Sequence, residues 1–301
     1  MQELVKVNIG IPAFNEGFNI KNLILQTLEQ EKSNYILDKI IVISDGSSDN
    51  TVSEAEKISD DRIIIINHED RKGKAARFQE LLQLSNSDIL IQLDADIKLE
   101  NKFVFQELVK AIIGGADLAF PKTAALTPRT YIEKVSSFGA SAWERVLNQM
   151  DKEAVILHRC QGRCRAFSKK FYKNFILPPE ADSVEDMYCF GFAVTHGYKA
   201  IYVPTAIVNY RLPATRKDFV KQARRFVKGP EALSQFFGKE FVKKYMPNDN
   251  MKLIAFFKNL FGFSPHISLG YVALQLYVRK TATMDSQKPI YDYVASTKNL
   301  D

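Results

Sequence analysis

The chain predicts an α/β fold: a mainly parallel sheet flanked by helices, with a helical extension at its C-terminal end. Two observations carry this. Over the first 120 residues, short apolar runs of strand length alternate with amphipathic stretches, the pattern of βαβ units with buried central strands. Polar residues suited to a site then cluster at the ends of four consecutive runs, where open parallel sheets place their ligands.

The expected strands are Val5–Ile11, Lys39–Ile43, Arg62–Ile66, Asp88–Leu93 and Asp117–Phe120, with helices near 18–31, 51–58, 74–85 and 101–113. Thr51-Val52-Ser53-Glu54 scans as a capping box at the head of the second helix. Further on, Ile132–Met150 reads as a helix with Trp143 as a packing residue, Arg163–Phe167 as a strand and Glu185–His196 as a helix. Ala200–Val203 and Ala206–Tyr210 read as two short strands. Arg216–Lys228 is a basic helix that Gly229-Pro230 is expected to stop. Thr281–Asp301 is polar and expected to be loose.

A chain of 301 residues can bury a substantial core. Its net charge of +6 is unevenly spread: residues 1–125 hold 14 Lys and Arg against 20 Asp and Glu, and 211–258 hold 12 against 4. A basic second half points to a polyanion, either nucleotide phosphates or an anionic membrane. Nucleic acid, the third polyanion such charge could serve, ranks last and is not expected as a partner, because no reader motif accompanies the charge. Three cysteines without metal-type spacing fit a reduced, cytosolic setting. Met1-Gln2-Glu3 runs straight into an apolar strand, so no leader is expected, and no apolar stretch is long enough to span a bilayer.

Asp94-Ala95-Asp96 closes the apolar run Ile89–Leu93. Two carboxylates one residue apart repel each other, and delivering both to a strand end is explained by a divalent cation held between protein and substrate phosphates. Hard oxygen ligands suit Mn2+ or Mg2+. Asp45-Gly46-Ser47-Ser48-Asp49 follows the second strand, where a carboxylate can accept hydrogen bonds from a nucleobase edge; a plain turn reads equally from these residues. Arg71-Lys72-Gly73-Lys74 ends the third strand, offering a backbone close approach at Gly73 and the charge of Lys74, or else a solvated basic loop. Glu185-Asp186 opens a helix, where acidic residues also serve the helix dipole.

Taken in order, Ile11-Pro12-Ala13-Phe14-Asn15-Glu16, Asp45–Thr51, Asp94-Ala95-Asp96, Glu185-Asp186 and Gln222-Ala223-Arg224-Arg225-Phe226 resemble glycosyltransferase family 2 over roughly residues 5–228. These are inverting enzymes with the glycosyltransferase A-type fold. The resemblance implies a nucleotide-sugar donor, most often a UDP-sugar, and a glycan or lipid-linked acceptor. It implies that Asp45 holds the base, with Pro12, Ala13 and Glu16 lining the nucleoside pocket; Lys74, by its place at a strand end, is expected to border the nucleotide. Asp94 would contact the ribose and help place the metal that Asp96 ligates. Asp186 would be the general base, with Glu185 the less favoured carboxylate and Asp182 a third. Gln222, Arg225 and Phe226 would serve the diphosphate and the acceptor; the family ends this motif in Trp, so Phe226 leaves the indole contact and the acceptor type open. The implied division is 1–120 for the donor, 121–230 for the acceptor and 231–301 for an extension.

Alternatives from the same residues are a polyprenyl-phosphate sugar synthase and a non-catalytic nucleotide-sugar-binding protein. A sugar-phosphate nucleotidyltransferase is disfavoured because Ala13-Phe14-Asn15-Glu16 stands where a Gly-rich basic loop is expected. Met251–Phe263 and Ile267–Val278 are apolar and too short to span. The Phe-rich face of the first, edged by Lys252, Lys258 and Asn259, suits an interfacial helix, so peripheral attachment to the cytoplasmic membrane face through 251–278 is expected. Packing of this segment on the rest of the protein is the other reading.

Overall fold

The computed structural model describes residues 4–282, 294–298 and 300. In chain order the first elements are β1 (Val5–Ala13), α1 (Ile20–Leu28), β2 (Tyr35–Asp45), α2 (Thr51–Glu56), β3 (Ile63–His68) and α3 (Lys74–Leu84). They are followed by β4 (Ile89–Leu93), β5 (Ile97–Leu99), α4 (Val104–Ile113), β6 (Leu118–Ala125), α5 (Tyr131–Leu147) and α6 (Lys152–Arg159). The remainder comprises β7 (Cys164–Ser168), α7 (Lys169–Tyr172), α8 (Glu185–Thr195), β8 (Ala200–Tyr210), α9 (Arg216–Tyr245), α10 (Asp249–Leu260) and α11 (Pro265–Ala282). Short 3-10 turns cover Pro179–Val184 and Ala295–Thr297.

The chain divides into two compact units. The first holds Met1–Ala124, Arg159–Tyr210 and Lys298–Asp301; the second holds Ala125–His158 and Arg211–Thr297. The first unit carries the mixed sheet, in the order β3-β2-β1-β4-β7-β6-β8-β5. Strands β3, β2, β1 and β4 are parallel, as the alternation of strands and helices predicts. From β4 onward, β7 pairs with β4, β6 with β7 and β5 with β8 antiparallel.

One face of this sheet buries Val7, Ile9, Ile11, Ile40, Val42, Ile89 and Ile91 with Leu23 and Ile24 of α1 and Val104, Leu108 and Ile112 of α4. On α3, Phe78 meets Phe167 of β7 at 5.7 Å, and Phe167 stacks on Phe171 at 5.6 Å. β4 is buried along its whole length, as expected of a central strand, while β1 alternates apolar side chains with Lys6, Asn8 and Gly10.

Several local expectations are corrected. The capping box at Thr51 does not form: Asn50 is the N-cap without a side-chain cap bond, and the Thr51 hydroxyl instead accepts the Glu16 N–H at 2.7 Å. Residues 200–210 make one strand, Ala200–Tyr210, with Pro204 inside it.

In the second unit, Gly229-Pro230 does not stop the basic helix. The helix continues through Pro230 to Tyr245, with its backbone break at Gly238 (φ 82°, ψ 167°). An internal proline costs about 3 kcal/mol; burial of Val220 and Ala223 before it and Leu233 after it offsets that cost. Trp143 packs edge-on against His158 at 5.1 Å, as a packing residue should. Asn259 belongs to no solvated face: it is fully buried, donating to the Phe138 carbonyl at 2.9 Å and accepting from Ser141 and Arg145. The expectation of a loose tail falls partly on 283–293, 299 and 301, outside the described residues, as do residues 1–3. Ser296 within it is engaged, donating from its N–H to Asp218 at 3.0 Å.

Candidate active site

The site residues of the first unit gather at the carboxyl ends of β1, β2 and β4 and at the start of α3 and α8. Pro12 and Ala13 end β1 in register with Ile43 and Ser44 of β2. The loop after β1 carries a left-handed Asn15 (φ 52°). Asn15 is secured by its N–H donating to Ser47 Oγ at 3.1 Å and its Oδ1 accepting from the Ser48 N–H at 2.8 Å.

Asp45, at the end of β2, is buried and organises the basic loop. Its carboxylate accepts the N–H groups of Lys72 and Gly73, each at 2.8 Å, and Arg77 Nε at 2.7 Å. Gly73 has φ 93°, a conformation glycine adopts without strain, and this aims its N–H at Asp45. A carboxylate has about four acceptor positions, so three donors leave room for one more. Arg71, on the same loop, stacks its guanidinium over Phe14 at 4.1 Å.

Asp94 and Asp96 follow β4, both half-buried. Lys74 Nζ lies 2.7 Å from Asp94 Oδ1 and 2.9 Å from Glu185 Oε1. Gln92 donates to Asp94 and to the Gly162 carbonyl, each at 3.1 Å. Burial pushes the Asp94 carboxyl above its ordinary range and the charge of Asp96 adds to this, against the pull of Lys74. Burial first, then Asp96, push Glu16 up to about 8, against Lys298 and Asn19.

Glu185 and Asp186 begin α8 in contrasting surroundings. Burial would raise Glu185, but Arg165 and then Lys74 overrule it and hold the carboxyl at about 2. Arg165 is fully buried in β7, 2.8 Å from Glu185 Oε2. Asp186 is shifted the other way, raised by burial and by the Glu185 charge. Its Oδ1 accepts the Met187 N–H at 2.8 Å. Asp182, the third carboxylate, accepts the Ala75 N–H at 3.3 Å at the head of α3.

A Cβ on Gly162 would stand 2.3 Å from Glu185 Oε1 and 3.1 Å from Lys74 Nζ, so only glycine leaves that ion pair its space. Arg165, Gly162, Gln92 and Arg77 are therefore site-forming residues that motif reading missed. Arg165 had left a signal: a lone arginine in the apolar run Cys164–Phe167 requires a buried counter-charge.

Among the described residues, no group of three or more His, Cys, Asp or Glu side chains comes together as a metal cluster. The donor set at the end of β4 nonetheless fits a hard divalent cation. It is two carboxylates, one of them pushed up by burial and by its neighbour, with further coordination left to phosphates and water. His196 is structural, stacked on Phe192 at 4.0 Å. Gln222 and Phe226 lie on α9 of the second unit, Phe226 67% exposed; the Arg225 side chain lies outside the described residues.

The sequence profile described as Glycosyl transferase family 2 matches residues 8–175. The chain belongs to this family. That match contains the Asp45, Lys74, Asp94 and Arg165 positions just described. Among curated proteins, a glycosyltransferase of Haloferax volcanii is 30% identical over 115 residues, 37% of this chain and 18% of that protein. The glucosyl-3-phosphoglycerate synthase of Petrotoga mobilis is 32% identical over 124 residues, 39% of this chain and 38% of that one. These alignments thus span well under half of either relative. Among solved structures, a mannosyltransferase from Pyrobaculum calidifontis in complex with GDP-Man and Mn2+ superposes with a TM-score of 0.62 at 17% identity, covering 94% of this chain and 84% of that one. Glucosyl-3-phosphoglycerate synthase from Mycobacterium tuberculosis, in complex with Mn2+, UDP and phosphoglyceric acid, gives 0.56 at 16% identity, covering 78% of this chain and 79% of that one. The shared architecture is the glycosyltransferase A-type fold.

Proposed function

We propose that this family 2 protein is an inverting glycosyltransferase that moves a hexose from a nucleoside diphosphate sugar, a UDP-sugar by preference, to a hydroxyl of a glycan or glycolipid. The observation that carries this reading is the opposed electrostatics of Glu185 and Asp186. Two adjacent carboxylates pushed apart in basicity have separate tasks. Glu185, held ionised by Arg165 and Lys74, is a fixed anchor; Asp186, raised above its usual range, is the better proton acceptor.

In the transfer, Asp186 takes the proton of the acceptor hydroxyl as the oxygen bonds to the anomeric carbon. The bond from that carbon to the diphosphate oxygen breaks on the opposite face, and its electron pair leaves with the nucleoside diphosphate, which inverts the centre. Pro12, Ala13 and Glu16 line the nucleoside pocket, Asp45 and its loop face the base, and Lys74 and Asp94 border the ribose and phosphates. Asp94 and Asp96 would hold Mn2+ or Mg2+, which supplies positive charge to the leaving diphosphate. Gln222, Arg225 and Phe226 serve the diphosphate and acceptor. Residues 1–120 thus serve the donor, 121–230 the acceptor, and 231–301 form the extension.

The two alternatives rank below this one. A polyprenyl phosphate is already an anion and would give Asp186 no proton to accept. A non-catalytic binding protein would gain nothing from that carboxylate. The deciding experiment is hydrolysis and transfer over a panel of nucleotide sugars with and without Mn2+. Metal-dependent release of one nucleotide, lost in Asp96→Ala, is expected; full activity in EDTA would sink the reading.

Location is part of the same proposal: cytoplasmic, peripheral on a membrane. No described helix is long and apolar enough to cross a membrane. The free, buried cysteines 160, 164 and 189 suit a reducing compartment. Helices α10 and α11 and the turn between them keep Leu253, Ile254, Phe257, Phe261 and Leu269 exposed, Phe261 at 96%. Phe256 and Phe263 are not part of that surface, packing on Phe138 at 5.6 and 5.3 Å.

A further inference from the structure

The loop after β1 is fastened by a residue from the far end of the chain. Lys298 belongs to the first unit, and its side chain is only 13% exposed. Its ammonium pairs with Glu16 Oε1 and donates to the Phe14 carbonyl at 2.5 Å. The Lys298 carbonyl accepts Asn19 Nδ2 at 2.6 Å, and the same amide reaches Glu16 Oε2 at 2.9 Å. Lys298, Glu16 and Asn19 therefore close a ring around the Phe14–Asn19 loop.

That loop needs fastening. Asn15 sits in a left-handed conformation that persists only where its surroundings over-determine it. Glu16 is 5% exposed and faces the charge of Asp96. Removing Lys298 takes away both the counter-charge of buried Glu16 and the donor to the Phe14 carbonyl. Glu16 can be relieved by taking up a proton, but the carbonyl is left without that donor and the loop is freed to swing toward water. Phe14 would move with it, taking away the ring beneath Arg71.

We propose that Lys298 is a positioning residue for the donor site: from the C-terminal end of the chain it holds the Phe14–Asn19 loop in the shape that receives the nucleoside. This rests on the nucleotide-sugar reading above. Lys298 touches no reacting atom in it and acts through Phe14 and Glu16. The loop after β1 is then incomplete until the C-terminal residues have folded onto it.

The test uses the full chain, with UDP and Mn2+ as the probe in calorimetry and amide exchange read at residues 15–19. Lys298→Met is expected to weaken UDP binding roughly tenfold or more and to speed exchange in the loop, whereas Lys298→Arg restores most of both. With a working donor, KM should rise while kcat holds. In a Glu16→Gln background, Lys298→Met should have a much smaller effect. Unchanged loop exchange and UDP affinity in Lys298→Met would overturn the inference, and tighter UDP binding would overturn it too, marking Lys298 as a plug. A wild-type protein that binds neither UDP nor GDP with Mn2+ would overturn the donor reading itself, and this inference with it.

Discussion

Arg165 and Glu185 meet at 2.8 Å in nearly complete burial, one from β7 and one from the head of α8. Neither belongs to the strand that carries Asp94, yet between them they decide which carboxylate of the Glu185-Asp186 pair is fixed. A buried ion pair is weak evidence for stability as such, but breaking one is costly because it strands a charge.

Arg165→Met should therefore destabilise the protein by about 3–5 kcal/mol, read from urea unfolding. The double variant Arg165→Met/Glu185→Gln should recover a substantial part of that loss. If the double variant were as damaged as the sum of the two singles, the pair would not be coupled.

The pH dependence has a definite sign. Glu185 has its folded pKa depressed to about 2 from 4.5, so its contribution is present above pH 4.5 and is lost as pH falls toward 2. The shift corresponds to about 3 kcal/mol. The stability gap between wild type and Glu185→Gln should shrink by about 2 kcal/mol between pH 5 and pH 3, with the remainder lost as pH falls toward 1. A gap independent of pH in this range would contradict the assignment.

Asp186→Asn keeps the shape of the side chain and removes its ability to take a proton. Transfer should fall by roughly 10²–10⁴, with nucleotide binding close to that of wild type. Should Asp182→Asn lose transfer instead, with Asp186→Asn active, the base would be the carboxylate now accepting the Ala75 N–H.

Membrane attachment is tested by co-sedimentation with vesicles containing anionic lipid. Phe257→Ser/Phe261→Ser, which changes exposed residues, should reduce binding without lowering the unfolding midpoint. Phe256→Ser should lower the midpoint, because that ring packs on Phe138. Absence of vesicle binding by the wild type would leave these helices a purely structural role.

The parallel half of the fold was legible because each strand, such as Ile89–Leu93, is an apolar run bounded by polar loops. Strand β5 was not, since three residues directly after Asp96 carry too little pattern. The carboxylates were legible as motifs; the groups that set their charge were not. Arg165 reaches the site through the antiparallel register that sets Gln92 opposite it, a pairing across 73 residues with no local signature. Lys298 was hidden in a polar tail whose composition resembles that of any solvated end. Gly229-Pro230 misled because local stop signals are outweighed when apolar side chains on both sides are buried.

The passage of α9 through Pro230 has a consequence of its own. In an α-helix the N–H of a residue bonds the carbonyl four positions earlier, and Pro230 has none to give to Phe226. The rung that should close over Phe226 is missing on the turn where its ring faces solvent. A sugar approaching that turn would find the exposed ring of Phe226 as an apolar surface for its C–H face.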